Sequence, residues 1–263
     1  TAGTDFSASV SYIAERLGLP SHAYESALNA SIKDRMRGCF DAHGVPSPHY
    51  RSFKAGDELP HDFDFPVVVK PVDNMGARGC RLARNATELE SAFYTAQKNS
   101  RTSSVIIEDF IDGEEFSIDA LVYNGMMTVT GFAVRHIYFP PYFIETGHTI
   151  PCPLGKIDET KRRELIAVFA LGVKALGLTH GAAKADIKYS AEGPVIGEIA
   201  ARLSGGYMSG WTFPYASDLN LTAQGILIAA GMKPCELESR RVPLEFRPPA
   251  SCINARKPFD LYE

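Results

Sequence analysis

The segment Phe65–Gly79, FPVVVKPVDNMGARG, sets a lysine and a glycine-bearing turn at the end of a β-branched run. Val67, Val68 and Val69, bounded by Pro66 and Pro71, read as a buried strand with Lys70 at its end. The turn that follows holds Gly76, Arg78 and Gly79. Glycine tolerates the φ > 0 conformations that aim several N–H groups at one anion, and the Lys70 ammonium can meet that anion as a point charge. Such chemistry suits a triphosphate clamp; the competing reading is a plain turn after a strand.

Two further clusters carry carboxylates. Val105–Glu115, VIIEDFIDGEE, ends a strand in Glu108-Asp109, passes through Phe110-Ile111, turns at Asp112-Gly113 and begins a new strand at Glu115. A segment crossing between two lobes in this way offers backbone C=O and N–H pairs to an adenine edge, and a carboxylate shortly after can accept from a ribose diol. A solvated acidic turn is the alternative. In Ala182–Arg202, Lys184, Asp186 and Lys188 share one strand face, and Ile196, Glu198 and Ala200 share a face of the next strand. An odd-length loop around Glu192-Gly193 would set Asp186 opposite Glu198, where their repulsion is relieved by a hard cation on phosphate oxygens. The alternative is a surface ladder neutralised by Lys184, Lys188 or Arg202. Leu203–Gly210 then supplies Gly205, Gly206 and Gly210, a loop whose backbone can approach a ligand closely.

These clusters need a scaffold, and 263 residues allow one large domain or two smaller ones. A net charge of −4 argues against nucleic acid as a partner. No apolar run approaches the ~20 residues of a membrane span, and Thr1–Gly18 lacks the pattern of a signal peptide, so neither membrane nor export is expected. The five cysteines are widely spaced without a C-x-x-C pair, which reads as reduced thiols in a cytoplasmic protein, neither a disulfide frame nor a zinc site.

The spacing predicts a helix over Ser7–Leu17, capped by Thr4-Asp5, with Val10, Ile13, Ala14 and Leu17 as its apolar stripe. That stripe would need cover from an earlier domain. Ser31 and Asp34 stand at cap-box spacing before a helix stopped by Gly44, and Thr87 and Glu90 repeat the spacing before a helix to Lys98. Cys80–Ala83 reads as a return strand, and Glu115–Tyr123 alternates strictly before the hairpin signal Asn124-Gly125 and a partner strand Met126–Arg135. His136–Leu154 reads as a long loop; Asp158 caps a helix to Gly177, and Asp218–Ala230 forms the last helix. From Pro234 to Glu263, five prolines suggest a loosely held tail. Hairpins mixed with packed helices make the fold class α+β.

In order and spacing, VVVKPVDNMGARG, VIIEDFIDGEEFSID and ADIKY…GPVIGEIAARLSGG resemble the ATP-grasp superfamily of carboxylate-activating ligases, over roughly Thr4 to Gly231. The resemblance implies two α+β lobes with antiparallel sheets gripping ATP. It divides the chain into the end of a preceding α/β domain (1–30), a linking helix and extended segment (31–49), a small lobe (50–110), a large lobe (111–233) and a tail or stub of a further subdomain (234–263). It also implies roles. Lys33 and Lys70 would contact phosphate, and the loop Asn74–Gly79, with Asn74, Gly76, Arg78 and Gly79, would close over it as a mobile lid. Glu108, Phe110 and Ile111 would line adenine and Glu115 the ribose. Asp186 and Glu198 would hold Mg²⁺ or Mn²⁺. Arg202 would join Lys70 in stabilising the transferred phosphoryl group. Arg135, His148, Arg202, Gly205 and Gly206 are the substrate-pocket candidates.

One departure stands out. The family's second metal site commonly reads Glu-x-Asn, and here it is Glu198-Ile199-Ala200. The activity implied is an ATP- and Mg²⁺-dependent joining of a small-molecule carboxylate to an amine, nearest in look to amino-acid (dipeptide-type) ligases, in a possible homodimer. Two alternatives are a catalytically reduced ATP-binding regulatory module, and an enzyme of the carbamoyl-phosphate-synthase, biotin-carboxylase or purine-biosynthesis kind.

Overall fold

The computed structural model describes residues 5–60, 62–138, 140–152 and 157–238. In chain order its elements are α1 (Ser7–Arg16), α2 (Tyr24–Asn29), α3 (Lys33–His43), β1 (Tyr50–Phe53), β2 (Val67–Pro71), β3 (Arg81–Ala83), α4 (Ala86–Asn99), β4 (Val105–Asp109), β5 (Glu114–Tyr123), β6 (Met126–Tyr138), β7 (Ile144–Thr149), α5 (Glu159–Ala175), β8 (Gly181–Ser190), β9 (Gly193–Ala200), a π-helix at Met208–Thr212, α6 (Phe213–Ser217), α7 (Leu221–Ala229) and α8 (Cys235–Glu238). Helices and antiparallel sheets together make the α+β class expected. No helix among the described residues is long and apolar enough to cross a membrane.

Two antiparallel sheets organise these elements. The smaller runs β1-β4-β2-β3, the larger β7-β6-β5-β8-β9. In the smaller, period-two alternation sends Val67 and Val69 of β2, with Val105 and Ile107 of β4, toward Leu89, Ala92, Phe93 and Ala96 of α4. Those four recur at the i, i+3, i+4, i+7 spacing of one helix face. The intervening residues Val68, Lys70 and Glu108 face the other way, into a cavity between the sheets. In the larger sheet, Phe116, Ile118, Ala120, Ala183, Ala185 and Ile187 pack with Leu165 and Phe169 of α5. The opposite face is dry at the Leu121 end, where Phe213, Leu219 and Leu221 cover it, and opens into the cavity at the Glu115 end. The β5–β6 hairpin turns at Asn124-Gly125, both left-handed at φ 51 and 74, the two-residue turn that pair favours.

Several local expectations are corrected. On α1, Val10, Ile13 and Leu17 are exposed, as a stripe in need of cover would be, while Ser7, Ser11 and Ala14 are buried, Ser7 and Ser11 lying against the hydroxyls of Ser31 and Ser21. Its N-cap is Phe6, with no side-chain cap; Thr4 lies outside the described residues. Ser31 does not cap α3: its hydroxyl donates back to Ala27 O at 2.7 Å, ending the unexpected α2. The α4 cap sits two residues earlier than Thr87/Glu90. Asn85 accepts from Glu88 N at 2.9 Å while the Glu88 carboxylate accepts from Arg84 N at 2.8 Å. The span 136–154 is no single loop, since β6 runs on to Tyr138 and β7 pairs with it. The helix expected over Asp218–Ala230 starts at Leu221, capped by Asn220, while Asp218 is the left-handed terminus of α6, and the short α8 follows it. As expected, Asp158 caps α5, accepting from Lys161 N at 2.7 Å. Most of the proline-rich tail, with Cys252, lies outside the described residues; Cys39, Cys80, Cys152 and Cys235 are free thiols.

Candidate active site

The cavity between the sheets has a volume of about 800 Å³, a size that accommodates a nucleotide-sized ligand. On the smaller sheet, Val68 and Glu108 are directly paired in the β2–β4 ladder, so Lys70, two residues on, reaches Glu108 diagonally. The Lys70 ammonium donates to Glu108 Oε2 at 2.5 Å, and Arg37 of α3 donates through Nε to Glu108 Oε1 at 2.9 Å. Arg37 and Glu108 side chains are each 1% exposed, Lys70 20%. Burial pushes the Glu108 pKa up, but the Arg37 guanidinium and Lys70 ammonium outweigh it and hold the carboxyl below its ordinary value. The same ion pair overcomes burial at Lys70 and raises its pKa. With both oxygens engaged, Glu108 anchors Lys70.

The turn after β2 is secured from two directions. Asp73 accepts from Arg101 N at 3.1 Å and Thr102 N at 3.0 Å, and Lys33, the first residue of α3, donates to Asn74 O at 2.6 Å. Gly76, Ala77 and Gly79 are left-handed, with φ of 65, 55 and 77. The N–H groups of Gly76, Ala77 and Arg78 have no acceptor among the described residues. Asn74, Gly76 and Arg78 line the cavity; Gly79 stands behind them, where an added Cβ would meet Asn99 Cβ at 2.7 Å and Pro71 Cγ at 2.9 Å. Gly79 is therefore required by packing at the foot of the turn.

On the larger sheet, Asp186 and Glu198 are cross-strand partners. Their pairing arises differently from the odd-length loop expected. Ser190 pairs with Gly193 and Ile187 with Ile196, so the turn holds two residues, and unbroken register would set Gly197 opposite Asp186. A bulge at Gly197 adds one residue to β9 and brings Glu198 into place. The expectation that Ile196, Glu198 and Ala200 share a face is corrected for the same reason. Ile196 and Ile199 point into the core, while Glu198 and Ala200 line the cavity.

Asp186 Oδ2 lies 3.1 Å from Arg135 Nη1 and also receives the Lys184 ammonium. Burial opposes ionisation there, yet these two cations hold the Asp186 carboxyl far below its usual range. The neutralising ladder considered from sequence thus exists in part, on a face that is buried (Asp186 13% and Lys184 12% exposed). Asp186 Oδ1 is buried without a partner, and Glu198 makes no ion pair among the described residues. Glu198 is nonetheless held below its ordinary pKa, against burial and Asp186, chiefly by Lys33. Two facing carboxylate oxygens without donors are the set a hard divalent cation takes, so the residues fit a magnesium or manganese ion. Ala200 faces Lys184 in register and offers no ligand atom.

The remaining candidates divide. Phe110, Ile111, Glu115, Arg135, Arg202, Gly205 and Gly206 line the cavity. Phe110 stacks on Phe143 from the β6–β7 hairpin at 6.5 Å. Arg135 is committed to three carboxylates, Glu115, Glu145 and Asp186. Arg202 donates to Leu203 O at 3.1 Å and has its Nε buried without a partner among the described residues. His148 pairs with Arg135 across β6–β7 but is not among the lining residues.

Sequence reasoning missed two positions, Asp119 and Arg37, and weighed Lys188 only as a neutraliser of the carboxylates. Lys188 donates to Ile111 O at 2.8 Å and sits over the Phe110 ring at 4.7 Å. Asp119, fully buried, accepts from Ser204 N at 3.1 Å and Ser209 Oγ at 2.8 Å, pinning both ends of the Gly205-Gly206 loop. Its signal was a charged residue inside an otherwise buried strand. Arg37 lies four residues after Lys33 and so on the same helix face.

A strand-bound lysine, a glycine turn and paired acceptor oxygens thus meet across a cleft between the two antiparallel sheets of an α+β protein. The sequence profile described as "ATP-grasp domain" matches residues 63–210, and the chain belongs to that family. It is 30% identical over 248 residues to protein y4rH of Sinorhizobium fredii, covering 92% of this chain and 50% of that one. Similarity to a D-alanine–D-alanine ligase of Pseudomonas putida is 28% identity, over 68% of this chain and 57% of the ligase. Among solved structures, an L-amino acid ligase from Bacillus licheniformis superposes with a TM-score of 0.77 at 24% identity, covering 90% of this chain and 56% of that one. The chain thus spans about half the length of these relatives.

Proposed function

We propose that this chain carries the ATP-binding and phosphoryl-transfer core of a ligase that joins a carboxylate to an amine, with an amino acid among its substrates. The observation that carries the reading is the meeting of Lys70, held by Glu108, with the open oxygens of Asp186 and Glu198 in one cavity. The small sheet with α4 and the large sheet with α5 act as two lobes, split near residue 110, and the triphosphate lies between them. Lys33, Lys70 and the turn Asn74–Arg78 hold its phosphates, and Phe110 and Ile111 flank the base. Glu115 takes the ribose after exchanging its Arg135 contact.

The substrate carboxylate attacks the γ-phosphorus, ADP leaves, and the acyl phosphate is attacked by the amine with loss of phosphate and a proton. Lys70 and Arg202 offset charge on the moving phosphoryl group, and the two sheets align the reactants. Asp186 and Glu198 would hold the divalent ion, whose chemistry is to neutralise phosphate oxygens. The relatives named as amino-acid ligases favour an amino acid as the carboxylate. The reading places the protein in the cytoplasm, acting on small molecules.

A second reading, a nucleotide-binding module without ligation, is favoured by Ala200 together with the Lys184 and Arg135 contacts on Asp186. Phosphate release measured across a panel of amino acids separates the two. Amino-acid-dependent release is expected; ATP binding without it would establish the second reading.

A further inference from the structure

Arg37 lies outside the three motif segments and outside residues 63–210 that the ATP-grasp profile matches, yet it is the largest of the fully buried side chains among the described residues. Its guanidinium spans the two sheets. Nε and Nη2 approach Glu108 Oε1 at 2.9 and 2.8 Å, and Nη2 also donates to Gly197 O at 2.7 Å. Glu108 Oε2 in turn holds Lys70. The acceptor on the large sheet is the carbonyl of the bulge residue itself, the residue whose insertion turns Glu198 toward Asp186. The segment that follows α3 reinforces the same junction: Pro46 O accepts from Ile196 N at 2.9 Å and His49 O from Asp109 N at 3.0 Å.

Stability alone does not account for this arginine. A buried ion pair is often no better than an apolar replacement of similar volume. Here, moreover, Arg37 Nη1 is left buried with no partner among the described residues. We infer that Arg37 is a positioning residue that ties the Gly197 bulge, and through it Glu198, to the Lys70–Glu108 pair, fixing the spacing between the cation-binding carboxylates and the triphosphate lysine. The inference rests on the nucleotide and cation reading above. A lysine at this position keeps the charge but lacks the planar fork that reaches Glu108 and Gly197 O together.

The test is Mn²⁺ uptake followed by electron paramagnetic resonance, with and without a non-hydrolysable ATP analogue, beside thermal denaturation. Folded Arg37→Lys should bind Mn²⁺ in the presence of the analogue about tenfold or more weakly than wild type, with a smaller loss in affinity for the analogue alone. A residue with only a structural role would lower the melting temperature and leave the cation affinity of the folded protein unchanged; affinity within about twofold of wild type overturns the inference. Gly197→Ala is the second variant. It leaves the Arg37–Glu108 pair in place while its Cβ would stand 3.2 Å from Asp186 O, and it should weaken Mn²⁺ uptake several-fold. Should Arg37→Lys fail to fold, unchanged uptake by Gly197→Ala overturns the inference. Wild-type protein that takes up no Mn²⁺ with the analogue would overturn the site reading and the inference with it. Wild-type uptake with unaffected variants removes the inference alone.

Discussion

On the small sheet Glu108 is enclosed, one oxygen held by Arg37 and the other by Lys70. Across the cavity, Asp186 shares one oxygen between Lys184 and Arg135 and keeps the other without a donor, beside a Glu198 that makes no ion pair among the described residues. Both clusters are buried carboxylates facing one cavity, so burial does not distinguish them. Satisfaction does. A buried carboxylate with every lone-pair direction engaged is a fixture, and changing it should be felt in folding. A buried carboxylate with an idle oxygen is poised for a ligand, and changing it should be felt in binding.

The largest break in this comparison is Glu108→Ala. It leaves Arg37 as an uncompensated buried charge and releases Lys70, which should destabilise the protein by about 3–5 kcal/mol, or roughly 10 °C in melting temperature for a chain of this size. Calorimetry checks it, and a shift of only a degree or two would mean that the closed cluster is no fixture.

Closure need not involve charge, and His22 extends the comparison. Its Nδ1 accepts from Thr179 N at 3.1 Å and His180 N at 3.2 Å, while Nε2 faces Ala182 O at 3.0 Å. Burial drives its pKa from 6.5 down to about 4. The unfolded chain therefore takes up a proton that the folded one refuses. The contribution of His22 is fully present above about pH 6.5 and lost as the pH falls toward 4, about 3 kcal/mol in all. Urea denaturation at about pH 7 and pH 4.5 should show that loss in wild type and a smaller one in His22→Ala.

Glu198→Gln probes the open side. Since no ion pair is broken, stability should change by less than about 1 kcal/mol. Divalent-cation affinity in the nucleotide complex should instead fall by about tenfold or more, as read by isothermal titration. A variant that loses several kcal/mol of stability while its folded form keeps the cation affinity would reverse the assignment of open and closed. The smallest effect belongs to the surface pair Arg78–Asp5, 3.3 Å apart with side chains 62% and 44% exposed. Asp5→Ala should alter stability by no more than about 0.5 kcal/mol, and denaturation in high and low salt should confirm that little is lost.

How much of this was legible in the chain depends on the range of the interaction. β2, β4, β5 and β8 follow from alternation and β-branched runs, and α5 from its Asp158 cap, because those signals lie within one turn or one pleat. Where two local solutions compete, the reading slipped. Asn85 rather than Thr87 caps α4, and Ser31 serves the carbonyl behind it rather than the helix ahead. The apolar stripe of α1 is correctly a stripe, but which face is covered depends on the neighbours, and Ser21 and Ser31 meet the serines.

By itself the sequence determined which residues stand at strand ends and turns, and so which chemistry was on offer: Lys70 before a glycine turn, carboxylates at 108, 115, 186 and 198, and the pattern of an ATP-grasp protein. Only the tertiary structure decided which carboxylates are spoken for. That outcome turns on a single inserted residue, Gly197, and on an arginine 160 positions away that holds its carbonyl. A bulge reverses the facing of every side chain beyond it, and its place is set by contacts between sheets that local spacing does not encode.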